Sequence, residues 1–334
     1  MKKSKLIVGL AVAAALAMGT TACSSGGTTP NTGNSGGTTD NAVKDLGSAS
    51  ILTNWFAQAE QGGYWSAQAD GLAKALGVDL TVQQGGPGIQ TIPQVAAGKA
   101  DFGVGNADEI QVAVSNGLPI VAVAAGPAVN LQCLAYHKST GITGFADLNG
   151  KTVARVPSPY WDFIKKDFKL DSVKEVNITG LANFQKDENM VLQCFITSEP
   201  YTIEKMGIND VGYLSINKDG GYNAYQNMLF TTQKMINEKP DLVKAVVKAS
   251  NEGWAKMLAD PTKSKALIMK TNPDGDAGVF DFAVDLMKKD NLLGDPIGQI
   301  TDARMKELRD QLVSIGLLKS DFDYTKTFTT KFEG

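Results

Sequence analysis

The chain has 334 residues, with 32 Lys+Arg against 35 Asp+Glu and a formal net charge of −3. A mildly acidic chain without a basic block argues against nucleic acid as a partner. Three cysteines are too few for a disulfide scaffold, and one histidine excludes a multi-histidine zinc site.

The N-terminus sets the compartment. Lys2, Lys3 and Lys5 precede an uncharged Ala- and Leu-rich run from Leu6 to Met18, too short to span a bilayer comfortably but suited to a signal-peptide core. Thr20-Thr21-Ala22-Cys23 resembles the lipobox of bacterial lipoproteins, with Thr20 in place of the usual Leu. This implies a signal peptide over 1–22 and lipidation of Cys23; the alternative is ordinary secretion with Cys23 incidental. From Cys23 to about residue 47 the chain is mostly Ser, Gly, Thr, Asn and Pro, a composition that reads as a disordered tether. No later segment is long and apolar enough to span a membrane, so an extracytoplasmic protein held by its lipid is expected. Without the three leader lysines the balance is 29 basic against 35 acidic residues. The remaining body, about 290 residues, exceeds one compact core and predicts two lobes.

Along the body, Ser48 to Phe56 reads as a strand, Tyr64 to Leu76 as a helix stopped by Gly77, and Val78 to Val82 as a strand. Gly85-Gly86-Pro87-Gly88 breaks the chain. A helix follows over Ile89 to Ala97, a strand over Ala100 to Val104, a helix over Ala107 to Ser115 and a buried strand over Pro119 to Ala125. The alternation predicts a largely parallel sheet covered by helices. Beyond it lie strands Thr152 to Val156 and Val191 to Ile196 around a helix near Phe163. Pro240 opens a helix whose Val243, Val246, Val247, Ser250, Trp254 and Leu258 mark one buried face. A last helix runs from Asp302 to Ile315, with Met305, Leu308 and Leu312 on one side. Cys133 and Cys194 either pair as a disulfide or stay as buried thiols; spacing does not decide.

Several stretches carry a family resemblance. Trp55-Phe56-Ala57-Gln58 with Gly63-Tyr64, and Gln84-Gly85-Gly86-Pro87 with Ala97-Gly98-Lys99-Ala100-Asp101-Phe102, are similar to stretches of the SsuA/THI5-like (NMT1-like) substrate-binding proteins of ABC transporters. Asp147-Leu148-Asn149-Gly150-Lys151-Thr152-Val153 resembles that family's entry to its second lobe, and Thr197-Ser198-Glu199-Pro200-Tyr201 resembles a branch handling pyrimidine- and flavin-related vitamins. The resemblance implies an α/β type II periplasmic-binding-protein fold, two α/β lobes joined by two hinge crossings near Ala125 to Leu134 and Tyr225 to Thr232. Lobe 1 would hold 48–130 and 230–334, and lobe 2 would hold 131–229.

Ligands of open α/β sheets bind beyond the carboxyl ends of strands, and inter-lobe clefts are favoured pockets. On this basis Trp55 is a stacking surface or a core residue, with Gln58 beside it as donor and acceptor. Tyr64 would close one edge of the ligand. Gly86 offers backbone N–H groups or a plain turn. Asn106 and Asp108 are ligand contacts or helix caps. Ser158, Tyr160 and Trp161 form a second wall or a proline turn over packed rings. Glu199, with Tyr201 as neighbour, would accept hydrogen bonds from an amine or ring N–H. These positions are aromatic, amide or acidic, and Arg155 is the one obvious arginine nearby. The expected ligand is therefore a planar, neutral or amine-bearing heteroaromatic such as a thiamine pyrimidine precursor or a flavin. A sulfonate or nitrate, which favours Arg, Lys or helix N-termini, is the second reading. A THI5-like pyrimidine-synthesising enzyme is the reading of another class; it would need a catalytic site around His137, the single histidine. A sensor or adhesin that kept the binding fold has no repeat or extra module to speak for it. The expected whole is a monomeric, non-enzymatic binding protein without metal or cofactor. Its partners are a small-molecule ligand, which hinge closure encloses, and an ABC permease with its ATPase subunit.

Overall fold

The computed structural model describes residues 43–333 except Thr179. The segments expected to be signal peptide, lipidated Cys23 and most of the tether, residues 1–42, lie outside the described residues. The chain first builds β1 (Gly47–Leu52), α1 (Gly62–Ala69), α2 (Leu72–Ala75), β2 (Val78–Gln83), α3 (Thr91–Ala96), β3 (Phe102–Gly105), α4 (Ala107–Ser115) and β4 (Ile120–Ala124). It then makes β5 (Gln132–His137), β6 (Thr152–Arg155), α5 (Pro159–Asp167), β7 (Lys174–Asn177), α6 (Leu181–Lys186), β8 (Met190–Phe195), α7 (Glu199–Lys205) and β9 (Val211–Ser215). The return brings β10 (Met228–Thr232), α8 (Gln233–Glu238), α9 (Pro240–Ala259), α10 (Thr262–Thr271), α11 (Ala277–Lys289) and α12 (Asp302–Ser314).

Two five-stranded sheets result, ordered β2-β1-β3-β10-β4 and β7-β6-β8-β5-β9. Each is mixed rather than largely parallel. β10 runs antiparallel to β3 and β4, and β5 runs antiparallel to β8 and β9. In both cases the reversed strand is the one made directly after a crossing between sheets. The stretches between the sheets span residues 125–131 and 216–227; the second shares 225–227 with the 225–232 expected from sequence, and β10 takes up 228–232.

Local chemistry sets the elements. In β2, Val78, Leu80 and Val82 point inward while Asp79, Thr81 and Gln83 face water, the alternation of an edge strand covered on one face. β4, from Ile120 to Ala124, is buried throughout, as a strand with both faces covered must be. The helix expected over Tyr64 to Leu76 is broken in two, because Gly71 takes a left-handed φ of 72° between α1 and α2. Pro240 opens α9 with its fixed φ, and Val243, Val246, Val247, Ser250 and Trp254 are buried along one stripe. α9 crosses α1 with glycine on both sides. A Cβ on Gly253 would lie 2.1 Å from the Gly63 carbonyl oxygen, and one on Gly63 would lie 2.2 Å from the Trp254 ring.

One apolar core gathers around α9 and the first sheet. A second runs through α4 and α12, passes Tyr222 and Tyr225 of the return crossing, and continues to Leu134, Val153 and Trp161 of the second lobe. Cys133 and Cys194 face each other across β5 and β8 and are bonded, which settles the alternative left open by sequence. Arg304 of α12 joins both crossings. Its guanidinium donates to the carbonyls of Ala128 and Asn223 and to Asn223 Oδ1, and lies 3.7 Å from the Tyr225 ring centre.

Candidate functional site

The helices α4 and α5 start immediately beyond the carboxyl ends of β3 and β6, one from each sheet. Between their first residues and the two crossings lies a narrow cleft lined by Asn106, Asp108 and Glu109 on one side and Ser158, Pro159 and Tyr160 on the other. Asn130, Gln132, Ala224 and Gln226 close its base. The space left is about 10 Å³, near the room of one water molecule, so the two sides stand nearly in contact.

Asn106 occupies the N-cap position of α4. Its backbone N–H donates to Glu109 Oε2 at 3.2 Å, and its Oδ1 accepts from the N–H of Asn227 at 3.3 Å. Asp108 is buried; its carboxylate accepts the Tyr222 hydroxyl at 2.9 Å and the Glu109 N–H at 2.9 Å. Burial outweighs these hydrogen bonds and raises its pKa. Glu109 is pushed up to about 7, first by the protein crowded around it and then by the charge of Asp108. Its outer edge keeps contact with water, which softens that rise. These two acids sit in the first turn of α4, where they answer the positive end of the helix themselves.

The base of the cleft is a ladder of amides. Gln226 Oε1 accepts from Leu131 N–H at 2.8 Å, while Asn130 Nδ2 donates to the Tyr222 carbonyl at 3.3 Å. Tyr160 is 1 % exposed and lines the cleft; its hydroxyl has no hydrogen-bond partner at normal geometry, Ser158 beside it being near enough only for a weak interaction. Burial therefore pushes that phenol up. The lining contains carboxylates, amides and hydroxyls but no Lys or Arg.

Of the residues singled out from sequence, Asn106, Asp108, Ser158 and Tyr160 come together here. Trp55 stands elsewhere, 42 % exposed in the loop after β1, with its ring 5.6 Å from Phe56 and edge-on to it. Gly86 packs beside the same Phe56 ring, and Gly85 donates its N–H to the Trp55 carbonyl, so Trp55 and Gly86 share one lip of the first lobe. Gln58 is half-buried and precedes the 3-10 turn Ala59–Gln61 without a side-chain capping bond.

Four assignments need correction. Tyr64 is fully buried, stacks edge-on against Trp254 and donates its hydroxyl to the Asn227 carbonyl at 2.6 Å, so it is an internal strut. Trp161 is fully buried, with the Arg155 guanidinium 5.4 Å from its ring centre, and forms no ligand wall. Glu199 spends its carboxylate on the Phe195 N–H at 2.7 Å, and Tyr201 packs 5.8 Å from the Phe282 ring of α11; neither lines the cleft. Arg155 is tied to Glu175 and to the Val156 carbonyl. His137 is buried, stacked on Phe184 and bonded to its carbonyl at 2.8 Å.

Sequence reasoning missed Glu109, Asn130, Gln132 and Gln226. A usable signal for two of them was Asn130 and Gln132 standing as polar breaks in the apolar stretch from Pro119 to Tyr136. Among the described residues no group of three or more His, Cys, Asp or Glu is placed to hold a metal ion, and no helix is long and apolar enough to cross a membrane.

The periplasmic aliphatic sulphonate binding protein SsuA from Escherichia coli superposes with a TM-score of 0.64 at 16% identity, covering 84% of this chain and 91% of that one. The periplasmic nitrate-binding protein NrtA from Synechocystis PCC 6803 gives 0.63 at 12% identity, covering 85% and 86%. The desulfurization enzyme DszB gives 0.56 at 15% identity, covering 85% and 97%. These likenesses establish the fold of periplasmic binding proteins. A search of curated proteins finds no match. The sequence profile described as NMT1/THI5 like matches residues 58–264, more than half of the chain, which therefore belongs to the NMT1/THI5-like family.

Proposed function

We propose that the chain is the extracytoplasmic solute-binding component of an ABC importer and that its cleft takes a small planar heteroaromatic, neutral or amine-bearing. One observation carries the ligand class: a cleft lined by Asp108, Glu109, four amides and the unpartnered Tyr160 hydroxyl, with no cation among its lining residues. Such a lining accepts hydrogen bonds from ring N–H or exocyclic amine groups, and Tyr160 and Gln132 can donate in return. Space for one water means that the lobes must part to admit a ligand and close over it, as hinge-bending binding proteins do. Trp55, exposed in the loop after β1, is the residue we would have cover the ring of a ligand once the lobes have parted.

Sulfonate or nitrate binding is the second reading, supported by what SsuA and NrtA are named for. It would use the N-termini of α4 and α5, but Asp108, Glu109 and Asp162 already occupy those first turns with negative charge. The enzyme reading finds no support at the cleft, since His137 is buried against Phe184 and is not among the lining residues. A permease with its ATPase, a monomeric state and a lipid on Cys23 complete the proposal. The intact mass of membrane-extracted chain reads the lipid, and an unmodified Cys23 would refute it.

A thermal-shift panel of pyrimidines, flavins, aliphatic sulfonates and nitrate tests the ligand class. A ligand at a hundred times its Kd adds about 2.7 kcal/mol to stability. The expected shift comes with a heteroaromatic amine and is lost in Asp108→Asn and Tyr160→Phe. A shift with sulfonate or nitrate alone would replace this ligand class with the anionic one.

A further inference from the structure

A second meeting of the lobes lies along α7, away from the cleft lining. There Tyr201 packs on Phe282, Lys205 reaches Asp276 at 2.7 Å, and the Thr197 hydroxyl donates to Glu60 Oε1. The first two contacts are at the surface, but the third is dry: Thr197 is 0% and Glu60 2% exposed. Glu60 belongs to the turn Ala59–Gln61 of the first lobe, and Thr197 follows β8 of the second. The Glu60 backbone is fixed in place by Asn227, whose Nδ2 donates to the Glu60 carbonyl at 3.0 Å.

Among the described residues no cation answers this carboxyl. The charged group that reaches it is Glu199 of α7, of the same sign. Burial first, then the charges of Glu199 and Glu204 of α7, raise the hydroxyl of Tyr213 of β9, which adds no positive charge to the seam. Lys205 of α7 is spent on Asp276. On α11, Asp281 pairs with Lys265, while Asp285, Lys288 and Lys289 face water. On α1, the Tyr64 hydroxyl belongs to the Asn227 carbonyl.

We propose that the meeting of the two lobes is proton-linked: Glu60 takes up a proton as the seam closes on Thr197 and returns it to water when the seam opens. A charged carboxylate sealed from water without a cation is costly, and protonation removes that cost. In the closed seam, burial first and the Glu199 charge last hold Glu60 up at about 7, against 4.5 for an exposed glutamate. The direction follows from linkage. Below pH 4.5 Glu60 is protonated whether the lobes are together or apart, and closure is easiest. Between 4.5 and about 7 the parted form ionises while the closed form does not, so closure becomes harder by about tenfold per pH unit. Above about 7 both forms are charged and the dependence levels off.

Small-angle X-ray scattering of the full chain between pH 4.5 and 8.5 tests this without any ligand. The radius of gyration of the natural protein should grow across the window. Glu60→Gln, which cannot ionise at the seam, should remain compact over the range in which the natural protein expands. Glu199→Gln keeps Glu60 but removes the neighbouring charge, and should move the midpoint to lower pH. A natural protein whose size ignores pH, a Glu60→Gln variant that expands as the natural one does, or an unmoved midpoint in Glu199→Gln would each overturn the proposal.

Discussion

At Tyr160 a phenol hydroxyl is kept dry without a partner, a condition that costs stability until something bonds to it. Tyr160→Phe should therefore leave the ligand-free protein as stable or more so, by up to about 1 kcal/mol, while weakening ligand binding. Urea denaturation without ligand reads the first half; a loss of stability there would mean that the hydroxyl already has a partner. Trp161, one residue on, shows why neighbours in sequence need not share a role. In a helix adjacent residues point about 100° apart, so although both rings are buried in the same core, Tyr160 also lines the cleft and Trp161 does not. Reading the pair as one wall from sequence overlooked that rotation.

Among the elements, the crossing of α1 and α9 offers the sharpest test. Gly253→Ala would gain up to about 1 kcal/mol of helix propensity, but its Cβ meets the Gly63 backbone at 2.1 Å, which only separation of the helices relieves. The clash should win, for a net loss of about 1–3 kcal/mol in chemical denaturation. Gly144→Ala, with nothing within 4 Å of its Cβ, serves as the neutral control. A Gly253→Ala variant as stable as that control would refute the close approach. Elements with strong local signals were legible: α4 begins and ends where its pattern and caps place it, and α9 starts at Pro240. β5, β7, β9 and β10 were not read as strands. β7 is a charged edge strand with Lys174, Glu175 and Asn177 exposed, so it lacks apolar alternation. β5 and β10 take their places from the crossings, whose partners are distant in sequence. The same holds for the site. Strand-end positions pointed to Asn106, Asp108, Ser158 and Tyr160, whereas the base amides come from the crossings, as Asn130 and Gln226 do, or from the start of β5, as Gln132 does, where no periodic signal marks them.

For the molecule as a whole, buried acids set the response to pH. Glu60 is pushed up to about 7, and Asp108, Glu199 and the partly hydrated Glu109 are raised, in each case mainly by the protein crowded around the carboxyl. Each costs nothing below its unfolded value and a growing amount as pH climbs to its folded value. Glu175, held at about 2 chiefly by Lys165 and Arg155 against the pull of burial, works the other way; its contribution is present above 4.5 and lost on acidification. Stability should thus be greater near pH 5 than at pH 8. Glu60 alone is worth at most about 3 kcal/mol, less whatever parting of the lobes relieves. Melting curves at the two pH values check this, and a protein firmer at pH 8 would mean that these carboxyls are hydrated in the fold. The strand order has a consequence for how the molecule is made. β10 fills the place between β3 and β4, yet about a hundred residues are synthesised between β4 and β10. A chain emerging from its N-terminus therefore carries a first sheet with a strand-wide gap until residue 232 is free. The second sheet draws all its strands from residues 132–215 and can be complete before that gap is filled. The half that begins first is the half that finishes last.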